Sequence, residues 1–294
     1  MAEPTIRALS LGAGVQSTTL LLLAVEGALP RPDAAIFADT GWEPRGVYEH
    51  LARLEKVAAD EGIPIHHVSA GNLRADALDP AHRFASMPLF ITNRDGSPGM
   101  SRRQCTSEYK LAPIKTAVRG LLGYPYPQRI PRDVYAEQWI GFSTDEIHRV
   151  RDTLDVRYAR PRYPLLDLDM SRKDCQRWLT THGWADVPKS ACVGCPFHGN
   201  RQWREMRDHR PDEWADAVDF DRAIRDGDSE LLGSAFLHSS RVPLGQAHID
   251  RVTRNEWKDR QTDIFDALTE DGDPDGCSPY GCRSGRPAPE EVPT

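Results

Sequence analysis

Apolar and polar positions alternate along the first half of this chain in two rhythms. Thr5–Leu11 (TIRALSL) is a short, mostly apolar run that ends at Gly12, the pattern of a buried strand. Ser17–Gly27 (STTLLLLAVEG) is long enough for a helix and closes on glycine. Ala34–Ala38 (AAIFA) reads as a second strand, Val47–Glu61 as an amphipathic helix, and Pro64–Val68 (PIHHV) as a third strand. Residues 70–100 carry no period and read as a loop or lid. Tyr109–Leu122 predicts another helix and Tyr135–Phe142 (YAEQWIGF) another strand. Alternating strands and helices predict an α/β fold, a Rossmann-like parallel sheet with helices on both faces. Beyond Pro164 the pattern turns helical. Ser171 is an N-cap for Arg172–His182, and Arg201–Asp208 and Glu213–Arg225 follow as helices. The organisation expected is an α/β domain over 1–165, a mostly helical C-terminal region over 166–269, and a flexible acidic tail over 270–294.

Composition narrows this picture. The chain has 294 residues, 39% of them hydrophobic, which suffices for a substantial core and excludes fibrous or wholly disordered classes. No stretch approaches the roughly 18 apolar residues of a membrane span. The N-terminus has no basic region ahead of its apolar run, so a signal peptide is not expected, and a cytoplasmic, membrane-free protein is. The net charge is −7, yet residues 101–210 hold 20 Lys and Arg against 13 Asp and Glu. The basic centre reads either as an ordinary mixed-charge surface or as a region that receives anions, including nucleic-acid phosphates.

Three segments carry candidate chemistry. In Ser10-Leu11-Gly12-Ala13-Gly14-Val15-Gln16-Ser17-Thr18, a strand, a glycine turn and a helix start together make an anion site, because main-chain N–H groups and the helix dipole face the ligand. It is not a Walker A loop, since no Lys precedes Ser17 and Thr18, and Ser17 stands where the dinucleotide fingerprint has its third glycine. Hydroxyls at Ser10, Ser17 and Thr18 are expected to add phosphate donors. Asp39, at a strand's end, reads as an acceptor for a ribose hydroxyl or as a Mg²⁺ ligand, and equally as an Asx-turn or helix cap. Gly141 ends a strand. Asp145 or Glu146 can bind metal and Arg149 a phosphate, or the two acids simply start a helix.

The third segment is Cys192-Val193-Gly194-Cys195-Pro196-Phe197. A C-x-x-C turn can place two thiolates on one metal, and a following proline is familiar at iron–sulfur sites. One such pair cannot complete a site. Cys105 is the best distant partner, and Cys277 and Cys282 form a second pair, with Cys282 a candidate fourth ligand or part of a thiol relay. An iron–sulfur cluster, a structural Zn²⁺ using both pairs and a redox dithiol all remain open. Cys175, inside a helix, reads as a small buried residue. His66 and His67 lie on a strand and must point to opposite faces. Trp178, Trp184, Trp203 and Trp214 are expected to build a second, smaller core.

Ser10–Thr18 resembles the pyrophosphate-binding loop of the PP-loop ATP pyrophosphatase superfamily (adenine nucleotide alpha-hydrolase-like, of HUP type), written S-G-G-x-D-S. Leu11 replaces a glycine and Gln16 the aspartate. Such variants resemble the phosphoadenosine phosphosulfate (PAPS) reductase-like branch, which also includes enzymes of DNA phosphorothioation. Asp39-Thr40-Gly41 is similar to that branch's D-T-G, and Gly141–Arg149 resembles its later G-x-x-x-[DE]-[ES]-x-x-R element. Together these span roughly the first 165 residues.

The resemblance implies ATP with Mg²⁺, the phosphates on Ser10, Gly12, Ala13, Gly14, Gln16, Ser17 and Thr18. The rest of the nucleotide would lie by Asp39, Thr40, Gly41 and Gly141. Arg103, Lys110, Asp145 and Arg149 are the candidate catalytic residues, and Arg102 a further basic residue to test. In related thiolation enzymes one distant cysteine and a C-x-x-C pair hold a 4Fe–4S cluster, an arrangement that Cys105, Cys192 and Cys195 match. The implied function is ATP-dependent sulfur transfer. Its substrate is adenylated with release of pyrophosphate, sulfur comes from a cysteine desulfurase or another donor, and the acceptor is DNA (phosphorothioation), tRNA (thiolation) or a small molecule. The alternatives are a sulfonucleotide (PAPS/APS) reductase and a nucleotide-binding partner subunit without turnover. The oligomeric state is not legible.

Overall fold

The computed structural model describes residues 3–79, 81–82, 87–225, 233–253 and 256–257. The predicted tail from 270 onward, with Cys277 and Cys282, lies outside the described residues. Among those described, no helix is long and apolar enough to cross a membrane.

Five strands form the main sheet: β1 (Ile6–Leu11), β2 (Ala34–Asp39), β3 (Ile65–Ser69), β6 (Ala136–Trp139) and β7 (Ala159–Arg162). All their pairings are parallel, in the order β3-β2-β1-β6-β7. The two-residue period of each strand sorts its side chains to opposite faces. Leu9, Leu11, Ala35, Phe37 and Trp139 point to one face. There they meet helices α1 (Val15–Val25), α2 (Arg45–Asp60) and α6 (Arg172–Thr181). Ala8, Ile36, Ala38 and Ala136 point to the other face, where α4 (Ala112–Leu121) supplies Ile114 and Val118. The fold is thus α/β and Rossmann-like, with helices on both faces. His66 and His67 fall on β3 with opposite directions, and His67 pairs with Glu55 of α2.

Two segments differ from their expected form. Residues 70–100, read as loop, contain α3 (Leu73–Leu78) and an antiparallel hairpin of β4 (Phe90–Asn93) and β5 (Pro98–Met100). The predicted helix from Tyr109 begins instead as a π-helical turn, Thr106–Leu111, before α4 takes over. Pro113, which has no N–H for the regular i−4 bond, stands in the first turn of α4, where that donor is not required.

The C-terminal region is helical as expected, with α5 (Pro164–Asp167), α6, α7 (Asn200–His209) and α8 (Pro211–Ala223). Ser171 caps α6 in a reciprocal capping box with Asp174. The region also contributes β8 (Gly233–Phe236), which pairs antiparallel with β4. Around that three-stranded sheet lies a second core of Trp42, Leu73, Tyr109, Cys192, Trp203, Met206 and Phe220, drawn from both halves of the chain. Trp203 and Trp214 belong to it; Trp178 and Trp184 pack on the first core instead, because α6 lies along α1.

Candidate functional site

The loops that follow β1, β2 and β6 meet at the carboxyl ends of neighbouring strands. The chain runs from β1 outward through β2 and β3 on one side, and β6 and β7 lie on the other. The crevice between β1 and β6 is therefore the topological switch point of the sheet, where open α/β folds bind ligands.

The glycine turn occupies this point. Gly14 is the N-cap of α1, and Ala13 rather than a glycine takes the left-handed conformation, at φ 52°. Ser17 closes the turn on itself: its Oγ accepts from the Gly12 N–H at 3.1 Å and donates to the Gly14 carbonyl at 3.3 Å. Ser10 is buried and its Oγ accepts from Gln138 Nε2 at 3.0 Å. Thr18 is placed differently from its expected role as a phosphate donor. It is 0% exposed, and its hydroxyl lies 2.9 Å from His50 Nε2, away from the turn. Thr18 is on the first full turn of a helix whose inner face packs against α2, so its side chain follows that face.

A residue without any motif stands over the turn. A Cβ on Gly14 would lie 2.7 Å from Ser190 Oγ, and one on Gly12 would lie 3.7 Å from it. Gly14 is needed for this close approach. Ser190 leads directly into the C-x-x-C segment, so the chain that carries the cysteines also roofs the glycine turn.

The second loop makes a tighter link. Asp39 Oδ1 accepts from the Gly41 N–H at 2.7 Å, the Asx-turn, and from the Tyr48 hydroxyl at 2.8 Å. Burial and that carboxylate push the Tyr48 pKa upward. Thr40 donates to Glu43 Oε1 at 3.0 Å, and the same hydroxyl lies 3.2 Å from Cys192 Sγ. The Val193 N–H donates to the Trp42 carbonyl at 2.9 Å. Glu43 and Lys110 form a buried ion pair at 3.4 Å, their side chains 2% and 9% exposed. Lys110, a candidate catalytic residue, is thus held by a carboxylate beside Cys192. The Asp39, Thr40 and Gly41 loop is therefore joined directly to the first cysteine of the pair.

The third element is Gly141 with the 3₁₀ turn Thr144–Arg149. Gly141 passes the start of α1 closely; a Cβ there would lie 3.1 Å from the Ser17 nitrogen. Asp145 Oδ1 accepts from the Arg172 N–H at 3.0 Å and so caps α6. Arg149 pairs with the buried Glu146 and stacks over Phe142 at 4.8 Å. Burial raises the Glu146 pKa, with the Arg149 charge opposing.

The cysteines divide in two groups. Cys175 is buried in the first core, and burial pushes its thiol up to about 12. Cys192 is part of the second core and Cys105 packs against it. Arg103, two residues before Cys105, stacks over Phe197, two residues after Cys195, at 4.9 Å. Both segments therefore face each other. Among the described residues these thiols form no disulfide, and this donor set fits a soft metal. Among the described residues, no three His, Cys, Asp or Glu side chains are gathered closely enough to hold an ion. His198 donates from Nε2 to the Cys192 carbonyl at 2.9 Å, and burial pushes its pKa down to about 3, so it is neutral. Arg102 is exposed.

Comparison of the chain with known protein families and with curated proteins finds no match.

Proposed function

We propose that this protein is an ATP-dependent sulfur-transfer enzyme of the PP-loop, PAPS reductase-like kind, acting on DNA or tRNA. The observation that carries the proposal is the contact between the two halves of the site. Thr40, on the loop assigned to the nucleotide, lies 3.2 Å from Cys192 Sγ, while Ser190 of the same cysteine segment covers the glycine turn. Nucleotide chemistry and sulfur chemistry would then share one crevice.

In this reading ATP enters with Mg²⁺. Its pyrophosphate end lies on the turn Gly12–Thr18, where main-chain N–H groups, the α1 dipole and the Ser190 hydroxyl face the anion. A substrate oxygen attacks the α-phosphorus, the bond to pyrophosphate breaks, and an adenylated substrate forms. A sulfur nucleophile then displaces AMP, which carries away the substrate's oxygen. Cys105, Cys192 and Cys195 would hold a 4Fe–4S cluster, which when bound supplies an iron site for sulfur. Lys110 and Glu43 keep the Cys192 side of the site charge-balanced and fixed. Sulfur would come from a cysteine desulfurase or an equivalent donor, and nucleic acid would approach the basic 101–210 region.

Anaerobic purification with iron and sulfide analysis, joined to an assay for pyrophosphate, tests this reading. Wild type is expected to carry iron and sulfide and to release pyrophosphate from ATP when a substrate is present. Cys105→Ala and Cys192→Ala are expected to lose the chromophore. A colourless protein with one zinc ion overturns the cluster. Sulfite released from a sulfonucleotide, with no pyrophosphate from ATP, overturns adenylation.

A further inference from the structure

Gln16 departs from the aspartate of the motif it resembles, and the structure gives that departure a use. Its side-chain amide sits between opposite charges. Oε1 accepts from Arg172 Nη1 at 2.9 Å, at the start of α6. Nε2 donates to Glu146 Oε2 at 3.0 Å and reaches Ser143 Oγ at 3.4 Å. Glu146 passes its other oxygen to Arg149, and that pair is nearly enclosed, with side chains 5% and 8% exposed. Asp145 meanwhile holds the Arg172 N–H. Three pieces far apart in sequence, the first turn of α1, the turn 144–149 and the start of α6, are thereby joined through one side chain.

An amide has a carbonyl for the cation and an NH₂ for the carboxylate. A carboxylate at position 16 would satisfy Arg172 but face Glu146 at hydrogen-bond distance, where two like charges cannot both stay ionised. An apolar side chain would leave polar groups of Arg172 and Glu146 without these partners in a partly buried network. The α1 turn that receives the ligand is oriented by whatever holds Gln16.

We propose that Gln16 is a positioning residue. In place of the phosphate contact that the resemblance implies for it, its side chain clamps the glycine turn against α6 and the 144–149 turn, in the form that receives a pyrophosphate group. The inference rests on the nucleotide reading of the loop given above. It predicts a reciprocal exchange. In the double variant Gln16→Glu with Glu146→Gln, the carboxylate introduced at position 16 accepts from Arg172 and from the amide introduced at position 146. The carbonyl of that amide accepts from Arg149, so the bonds to Arg172, between positions 16 and 146 and to Arg149 survive with the net charge, and the Ser143 hydroxyl turns to donate to the new carboxylate.

The test measures binding of inorganic pyrophosphate and of adenosine, separately, to wild type, to each single variant and to the double. Each single variant is expected to bind pyrophosphate about tenfold more weakly, the loss of roughly one charge-assisted hydrogen bond. Adenosine binding is expected to be unchanged, and the double variant to return to within about threefold of wild type. A double variant no better than the product of the singles overturns the clamp. So does equal loss of adenosine binding, which would mark a general structural role. Thermal unfolding of the same four proteins separates the two readings. Coupling between positions 16 and 146 in Tm, with a wild type that binds no pyrophosphate, upholds the clamp and defeats the nucleotide reading. Additive shifts in Tm defeat the clamp whatever the loop binds.

Discussion

Gly194 lies at the tightest contact in the site, and Gly194→Ala should show how strongly the cysteine turn depends on Trp42. A Cβ at this position would stand 2.0 Å from Trp42 Cη2, 2.6 Å from Cζ3 and 2.8 Å from Cζ2. Carbon atoms in contact sit about 3.5 Å apart or more, so the turn or the ring must give way by about 1.5 Å. The ring is not free to do so. Its Nε1 donates to Asp216 Oδ2 at 2.6 Å, and its face packs on Phe220 with centroids 4.5 Å apart. The turn is held too, by the Val193 N–H on the Trp42 carbonyl. Overpacking of this kind costs about 1–3 kcal/mol, and the anchoring on both sides argues for about 3. That is a large part of a typical stability of about 5–15 kcal/mol. Urea unfolding of Gly194→Ala, Trp42→Ala and the double variant measures it. Trp42→Ala alone should cost about 3–5 kcal/mol as a cavity. The double should be more stable than the sum of the singles by about 1–3 kcal/mol, since the methyl then fills part of that cavity. A neutral Gly194→Ala, or strictly additive costs, would refute the reasoning.

Other residues give further tests. Lys110→Met strands the buried Glu43 carboxylate and should destabilise by about 3–5 kcal/mol, whereas Lys110→Met with Glu43→Gln should cost less; chemical denaturation compares them. Burial pushes the His50 pKa from 6.5 down to about 4, so the unfolded chain takes up a proton before the folded one does. Its contribution is full above about pH 6.5 and is lost as pH falls to about 4, on the order of 3 kcal/mol in all. His50→Asn should flatten the pH dependence of the urea midpoint across that window, and an unchanged slope would exclude His50 as its source. Ser190→Ala should weaken ATP binding about tenfold while leaving the unfolding free energy within about 0.5 kcal/mol of wild type, as measured by calorimetry and urea unfolding.

The main sheet was legible in the sequence because its signals are local. The runs that became β1, β2 and β3 are apolar, short and closed by turns, and the long helices between them carry an unbroken apolar face. The small sheet was not. β5 has three residues and β4 four, too few for a period, and β4 finds β8 across more than a hundred residues. The site divides the same way. Its glycines and cysteines announce themselves by spacing. Ser190, Glu43 and Arg172 have no such mark, since each acquires its place through a tertiary contact. Thr18 and Asp39 show the converse. Their types suit a ligand; the Thr18 hydroxyl lies against His50, and Asp39 Oδ1 forms the Asx-turn that its type equally allowed while also accepting from Tyr48.

The pairing of β4 with β8 bears on how the chain comes off the ribosome. Phe90 aligns with Phe236 and Ile91 with Ala235, so the strand made early waits for one made near the end of synthesis. The main sheet, complete by Arg162, can form while the remainder is still being translated. The second core around Trp42 and Cys192 is completed only afterward, and contacts of such long sequence separation form slowly. Until then the cysteine segment stays accessible. Cys192 therefore gains its burial in a later stage of folding than the glycine turn beside it, which the main sheet already supports.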